Sequence, residues 1–172
     1  MEKYEIDMIV EIPYNSQVKY EYDEKIGKMR CDRILNTAML YPGNYGYIPH
    51  TLSGDGDPLD VLLITEYPIY PGTIIKVRMV GVLYTEDEKG EDEKLLAVPS
   101  TDVDNNYEDI HDLENLSNNL KKKIKHFFTH YKDNDKNKWV KIKEFGNKKE
   151  AYQTYLNNTI TSQKNNYFEN IL

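Results

Sequence analysis

The chain has 172 residues, a length typical of one compact domain with a sizeable core. Its 29 acidic residues outnumber 22 Lys and Arg residues, and the formal charge of −7 argues against a general binder of nucleic acid or anionic membranes. Neither an apolar secretory core nor a membrane-length apolar run is visible. A single cysteine, Cys31, fits a reducing compartment. We predict one cytoplasmic domain over residues 1–172, in contact with neither nucleic acid nor membrane.

The first two thirds of the chain have the pattern of short strands separated by turns. Apolar residues in 6–12 alternate onto one strand face, opposite Glu11. Residues 18–22 alternate in the same way, with Lys19 and Glu21 on one face. Several short strands between Gly- and Pro-containing turns favour a mainly β fold with a small barrel. The remaining predictions are strands at 31–35, 61–65, 73–84 and 95–98, and a shaped loop at 41–47.

The last third changes to helical spacing. Apolar residues recur three or four positions apart between Leu116 and Tyr131, and Ser117 is a suitable N-cap. A second, weaker helix is predicted from about 148 to 160. From 161 onward the sequence is polar, and we expect this tail to fray.

The strongest local signal is the segment Asp-Gly-Asp-Pro-Leu-Asp at 55–60. Like charges packed this closely repel one another and raise each other's pKa, so proteins keep them mainly where cations neutralise them. Oxygen ligands suit Mg²⁺, Mn²⁺ or Ca²⁺. An EF-hand is excluded, because Leu59 and Asp60 stand at its fifth and sixth positions and a strand follows. The motif alone leaves open an acidic turn without a ligand.

Other polar groups favour structural interpretations when taken singly. The charged run 86–94 reads as a solvated hairpin turn around Gly90, and Lys19 with Glu21 as an exposed charge pair. His126 and His130 lack the neighbouring Glu of a metalloprotease motif, which favours packing or a subunit contact. Cys31 reads as a small buried residue. Tyr131 and Lys132 could form a surface cap at a helix C-terminus.

Together these segments resemble the soluble family I inorganic pyrophosphatases, in their short bacterial-type form. The Asp-Gly-Asp-Pro-Leu-Asp segment looks like the signature of that family, and the similarity covers nearly the whole chain. The other matching segments, in the family's order, are 9–13, 18–21, 32–33, 41–47, 90–94, 130–133 and 138–141.

The resemblance implies a distorted five-stranded OB-like β-barrel flanked by two α-helices. It also implies Mg²⁺-dependent hydrolysis of pyrophosphate to two orthophosphates by direct attack of a metal-activated water, which pulls biosynthetic reactions forward. Several Mg²⁺ ions per subunit are expected, with Mn²⁺ or other divalent ions as substitutes. The expected partners are pyrophosphate, phosphate and further copies of the chain, in a homo-oligomer that is a hexamer for the short type.

The family pattern also assigns roles to acidic residues. Asp55, Asp60 and Asp92 would hold the first activating metal ion, and Asp60 would share a second ion. Asp87 and Asp92 would hold an ion that arrives with substrate, and Glu21 would help with another. Such a carboxylate-rich site suits a highly anionic substrate that divalent ions must neutralise.

The same pattern assigns the proton acceptor and the phosphate-facing groups. Asp57 would be the general base, with Glu11 and Glu88 as supporting acids and Tyr41 orienting the carboxylates. The groups expected to face phosphate oxygens are Lys19, Arg33, Tyr45, Lys94, Tyr131 and Lys132. Of these, the first three are expected to join Asp57 as catalytic residues.

Three alternatives share parts of this pattern. An OB-type binding module could use the tyrosines as stacking platforms for nucleic acid, although no basic stripe is present. A calcium-binding protein would use the acidic cluster without chemistry. Another metal-dependent phosphohydrolase, such as a phosphodiesterase, would share the carboxylate chemistry with a different substrate.

Overall fold

The structure is a computed structural model that describes residues 3–160. In that range the chain forms strands, two α-helices and two short 3₁₀ turns. The helices are α1 (Asn118–His130) and α2 (Lys148–Asn158). The strands are β1 (Glu5–Ile12), β2 (Val18–Asp23), β3 (Lys28–Ile34), β4 (Asn44–Tyr47), β5 (Asp60–Leu63), β6 (Ile74–Asp87), β7 (Gly90–Glu91), β8 (Lys94–Pro99) and β9 (Val140–Asn147).

Five strands close into a ring. The order is β1, β4, β5, β8, β6, and β6 pairs again with β1. All of these pairings are antiparallel except that of β5 with β8, which is parallel. With two α-helices packed against the sheet, the prediction of a mainly β, OB-like barrel with two helices is confirmed. β2 and β3 form a separate two-stranded sheet, and β9 adds to β6.

The core of the ring follows the alternation read from the sequence. On β1 the residues Ile6, Met8, Val10 and Ile12 are all buried. Next to β1, the backbone of β4 approaches so closely that a Cβ on Gly46 would lie 1.9 Å from the carbonyl oxygen of Ile9. Only glycine fits there. This close approach sets the position of β4 and of the tyrosine that precedes the glycine.

The first helix begins at the predicted cap, and both helices are capped at their N-termini. The side chain of Ser117 accepts a hydrogen bond from the Leu120 N–H at the start of α1. Ile124, Phe127 and Phe128 then bury one face of α1 in the core. The second helix, α2, begins at a capping box and packs against β6. No helix among residues 3–160 is long and apolar enough to cross a membrane.

Several predicted elements differ from the observed ones. The shaped loop at 41–47 is a loop only in its first half, because β4 occupies the rest. β6 continues to Asp87 and so includes the first two residues of the charged run, whose predicted hairpin turn joins β6 to β7. β9 was not predicted, although lysines alternate with its apolar residues in the pattern typical of a strand. The predicted frayed tail from 161 lies outside the described residues.

Two predictions about burial were wrong. Cys31 is exposed, because β3 pairs only with β2 and this two-stranded sheet stands apart from the ring. Tyr131 and Lys132 do not form a surface cap. They are only 7% and 8% exposed, because the C-terminal end of α1 is packed over one end of the ring.

Candidate active site

One cavity of about 780 Å³ lies between the ring and the β2–β3 sheet. It is lined by the acidic loop 55–60, by the end of β6 and by the residues just after α1. The cavity brings together every site residue predicted from the sequence. These are Glu11, Lys19, Glu21, Arg33, Tyr41, Tyr45, Asp55, Asp57, Asp60, Asp87, Glu88, Asp92, Lys94, Tyr131 and Lys132.

A buried lysine lies at the floor of the cavity. Lys94 is 2% exposed, and its Nζ lies 3.0 Å from Asp60 Oδ2 and 2.8 Å from Asp92 Oδ1. It also donates to the hydroxyl of Tyr45 at 2.8 Å and lies 5.3 Å from the ring centre of Phe128. Burial alone would lower the pKa of Lys94, but the two carboxylates raise it well above its ordinary value. The ammonium therefore stays charged and holds the carboxylates together.

The register of the ring places these groups side by side. Asp60 begins β5 and is the direct partner of Lys94 at the start of β8. Tyr45 lies on the neighbouring strand β4 and donates its hydroxyl hydrogen bond to Asp60. Burial, together with the Asp92 carboxylate, raises the pKa of Asp60 in spite of Lys94. The carboxylate thus carries negative charge that its one ammonium partner does not fully compensate.

The acidic loop is shaped by its own backbone. Gly56 has a φ of 90°, in the region that favours glycine, and its N–H donates to the Ser53 carbonyl oxygen. The Asp57 N–H donates to Asp55 Oδ1 at 3.0 Å, which directs the Asp55 carboxylate towards its neighbour. Burial, followed by the Asp92 and Asp57 carboxylates, raises the pKa of Asp55. The loop therefore gathers carboxylates at the cavity wall.

The end of β6 adds a second acidic wall. Asp87 is 6% exposed, and the Lys132 ammonium lies 2.8 Å from its Oδ2. Although burial opposes it, the Lys132 hydrogen bond lowers the pKa of Asp87. Glu88 lies 3.8 Å from the same ammonium. The charged run predicted to be a solvated turn thus supplies buried site residues, because β6 extends into it.

The β2–β3 sheet contributes a mixed group of charges. The Lys19 ammonium contacts Glu21 on its own strand and lies 3.2 Å from Asp32 on the neighbouring strand. Arg33 lies 3.6 Å from Asp32 and 3.5 Å from Asp135. The Nε and Nη2 atoms of Arg33 are nevertheless buried without a hydrogen-bond partner. Nη2 still has the Asp135 carboxylate within ion-pair distance, so Nε is the uncommitted donor of this guanidinium group.

Aromatic rings support the floor. The rings of Tyr41 and Tyr45 lie 5.4 Å apart, and Tyr131 stacks on Phe127 at 5.1 Å. Burial raises the pKa of all three tyrosines, so each phenol keeps its proton and can donate it. The phenols are fixed donors beside charged groups.

Negative charge predominates in the cavity. Ten carboxylates line it against six ammonium or guanidinium groups, which leaves a formal −4. Within residues 3–160, no three His, Cys, Asp or Glu side chains converge tightly enough to form a ready metal cage. The side chains that could bind a metal ion nonetheless offer oxygen atoms, and their negative charge exceeds the positive charge of the cavity. This combination fits the preference of hard divalent cations such as Mg²⁺ or Mn²⁺.

Some residues of the cavity were not predicted from the sequence. Asp32 was noted only as part of a matching dipeptide, yet it contacts both Lys19 and Arg33. Lys89 was assigned to the solvated turn, but its ammonium lies 2.9 Å from Asp57 Oδ2. The Lys19–Asp32 and Lys89–Asp57 contacts span 13 and 32 positions of sequence, and no local pattern predicts contacts at such a distance.

A family model described as inorganic pyrophosphatase matches residues 8–163. The chain belongs to the inorganic pyrophosphatase family. It is 52% identical over 149 residues to the inorganic pyrophosphatase of Rickettsia conorii, with 86% of each chain covered. It is 55% identical over 147 residues to that of Nanoarchaeum equitans, with 86% and 91% covered.

Solved structures agree with this membership. The inorganic pyrophosphatase of Helicobacter pylori matches with a TM-score of 0.91 at 41% identity, covering 94% of this chain and 95% of that one. Membership in the inorganic pyrophosphatase family carries an inorganic diphosphatase activity and a general need for divalent metal ions. This family membership replaces the alternatives of a nucleic-acid-binding module and a calcium-binding protein.

Burial raises the pKa of Glu11 from 4.5 to about 7, and Asp60 and Glu21 add to the shift against the hydrogen bond from the Tyr22 N–H. Below about pH 4.5 this carboxyl group is protonated in both the folded and the unfolded chain. As the pH rises from about 4.5 to about 7, the unfolded chain loses the proton before the folded chain does, so the free energy of unfolding falls. Above about pH 7 this loss of stability is complete and stays constant.

Replacing Glu11 with Gln should therefore stabilise the metal-free protein at pH 8 and leave it unchanged at pH 4.5. We expect a rise in melting temperature of about 3 °C at pH 8. Thermal unfolding in EDTA at the two pH values measures the effect, with Glu5→Gln as a control outside the cavity. An equal shift at both pH values would contradict the assigned cause.

Proposed function

We propose that the cavity hydrolyses pyrophosphate to two orthophosphates in a Mg²⁺-dependent reaction, by direct attack of water. The observation that carries this proposal is a carboxylate wall with a formal −4 charge beside the Arg33 guanidinium, whose Nε is buried without a hydrogen-bond partner. A site with these two features suits divalent cations and phosphate oxygens together. No nucleophilic Ser or Cys is needed for such a reaction.

The metal-holding residues in this proposal are carboxylates of three elements. Asp55 and Asp60 come from the acidic loop and β5, and Asp92 comes from the turn before β8. Asp87 and Glu21 extend the set towards the cavity mouth. The bound divalent ions would neutralise the substrate, lower the pKa of the attacking water and stabilise the leaving phosphate. Glu11 and Glu88 add negative charge around these ligands.

Asp57 is the general base in this proposal. Its side chain is 60% exposed and lines the cavity, so water can reach it directly. Its neighbours Asp55 and Asp60 would hold the metal ions, which places the proton acceptor next to the site of attack. Geometry comes first for a general base, and Asp57 is more accessible than half-buried Asp60 or buried Asp92.

The cations and phenols would bind the phosphate oxygens. Arg33 can offer a planar fork with two donors, whereas Lys19 and Lys132 act as point charges. Tyr45 and Tyr131 have protonated hydroxyls at the cavity wall. Lys94 and Tyr41 would keep the carboxylates and phenols of the floor in place.

We also propose a cytoplasmic homo-oligomer, a hexamer, in line with the short type of subunit. His126 and His130 support the position of one contact. Their rings lie 4.8 Å apart on the exposed face of α1 and take no part in the cavity. Light scattering coupled to size exclusion measures the assembly directly.

Release of orthophosphate from pyrophosphate tests the proposed function. We expect hydrolysis with Mg²⁺ and loss of activity in EDTA, because the carboxylate wall alone repels the anionic substrate. A phosphodiester serves as the comparison substrate for the phosphodiesterase alternative, and its hydrolysis is followed by the monoester product because no orthophosphate is released. Folded protein that releases no orthophosphate with either Mg²⁺ or Mn²⁺ would refute the proposal.

Replacing Asp57 with Asn should lower turnover by about 10²-fold or more, as expected for loss of a general base, and leave the fold intact. The matched control is Asp102→Asn, because Asp102 is exposed and pairs with Lys76 outside the cavity. Steady-state kinetics with a thermal melt of each variant provides the measurement. Near-normal turnover of Asp57→Asn would remove this residue from the proton-acceptor role.

A further inference from the structure

Lys89 lies at the tip of the β6–β7 hairpin and faces the acidic loop across the cavity. Its ammonium lies 2.9 Å from Asp57 Oδ2, and its backbone N–H donates to Asp87 Oδ1 at 2.8 Å. The backbone bond fixes the base of the side chain, while the ammonium reaches over the cavity mouth. The hairpin and the acidic loop are thus joined by a single charged contact at this point.

The lysines of the cavity differ in how firmly they are held. Lys94 is 2% exposed and contacts two carboxylates and a phenol. Lys132 has a side chain only 10% exposed and lies within 4 Å of two carboxylates. Lys89, by contrast, is 58% exposed and forms an ion pair with one carboxylate, Asp57, among the described residues. An exposed ion pair of this kind is weak, so its ammonium exchanges readily.

The surroundings of Lys89 are acidic. The hydrogen bond to Asp57 raises the pKa of Lys89, and the charges of Asp57, Asp55 and Asp87 add to this effect. The ammonium therefore partly neutralises the carboxylates that a divalent cation would use. It also repels such a cation, because both are positive and share the same cavity.

We propose that Lys89 is a built-in competitor of the divalent cations, which occupies Asp57 and raises the cation concentration needed to fill the acidic loop. This inference rests on the proposed function, in which Asp55, Asp60 and Asp92 hold metal ions. A divalent cation in the acidic loop would weaken the contact of Lys89 with Asp57 and leave the general base without its ion-pair partner. Lys89 thereby couples the release of Asp57 to the presence of metal.

Replacement of Lys89 by Met tests the competition, because Met keeps the length and removes the charge. Binding of Mn²⁺ is measured by electron paramagnetic resonance in the absence of pyrophosphate, so the readout is independent of turnover. We expect Lys89→Met to bind Mn²⁺ about threefold more tightly than the unmodified chain at low ionic strength. The gain should shrink at high salt, since the interaction is electrostatic.

Two control variants separate competition from a general charge effect. Lys143→Met removes a lysine that pairs with Glu86 and Glu91 on the outside of the same hairpin, and it should leave Mn²⁺ affinity unchanged. Lys89→Arg keeps the charge and should also leave it unchanged. An equal gain in Lys143→Met would overturn the inference.

The outcomes also distinguish this inference from the proposed function. If the unmodified chain binds Mn²⁺ and Lys89→Met binds it with the same affinity, the competition is wrong and the metal site stands. If the unmodified chain binds no Mn²⁺ in the cavity, both are overturned.

Discussion

The interaction on which the site depends is the buried contact of Lys94 with Asp60 and Asp92. The lysine and Asp60 begin adjacent parallel strands, so the register of the ring brings them together. Burying charged groups costs several kcal/mol per ion unless they are paired and hydrogen-bonded, and here Tyr45 adds the necessary bonds. Removal of the ammonium would leave two carboxylates facing each other in a buried place. The barrel thus serves to make an unfavourable charge arrangement stable.

The other cations of the cavity differ in how deeply they are buried and in how many carboxylates they contact. Lys94 and Lys132 are buried and bound to carboxylates, whereas Lys89 is exposed and exchangeable. Arg33 keeps its buried Nε without a hydrogen-bond partner. These differences suit a reaction in which metal ions and an anionic substrate bind in turn. Lys94 and Lys132 keep their carboxylate contacts, whereas Lys89 would lose its contact when divalent cations bind.

Much of the fold and of the site was predictable from residue patterns. Alternation in 6–12 predicted a buried strand face, and Ser117 predicted the start of α1. The resemblance to the family predicted which residues line the cavity. The wrong predictions concern context. Cys31 is exposed because its strand lies in a separate two-stranded sheet, and β9 was missed although its lysines and apolar residues alternate as in other strands. A short segment of sequence predicts neither which strands will pair in a sheet nor a long-range contact such as that of Lys89 with Asp57.

The acidic excess of the chain is concentrated in one place. The cavity has a formal −4 of the total −7, and this charge forms the wall that we assign to divalent cations. Diffraction at the Mn absorption edge, from crystals grown with Mn²⁺, tests that assignment most directly. The account predicts anomalous peaks between Asp55, Asp60 and Asp92. Bound Mn²⁺ found only outside the cavity would contradict it.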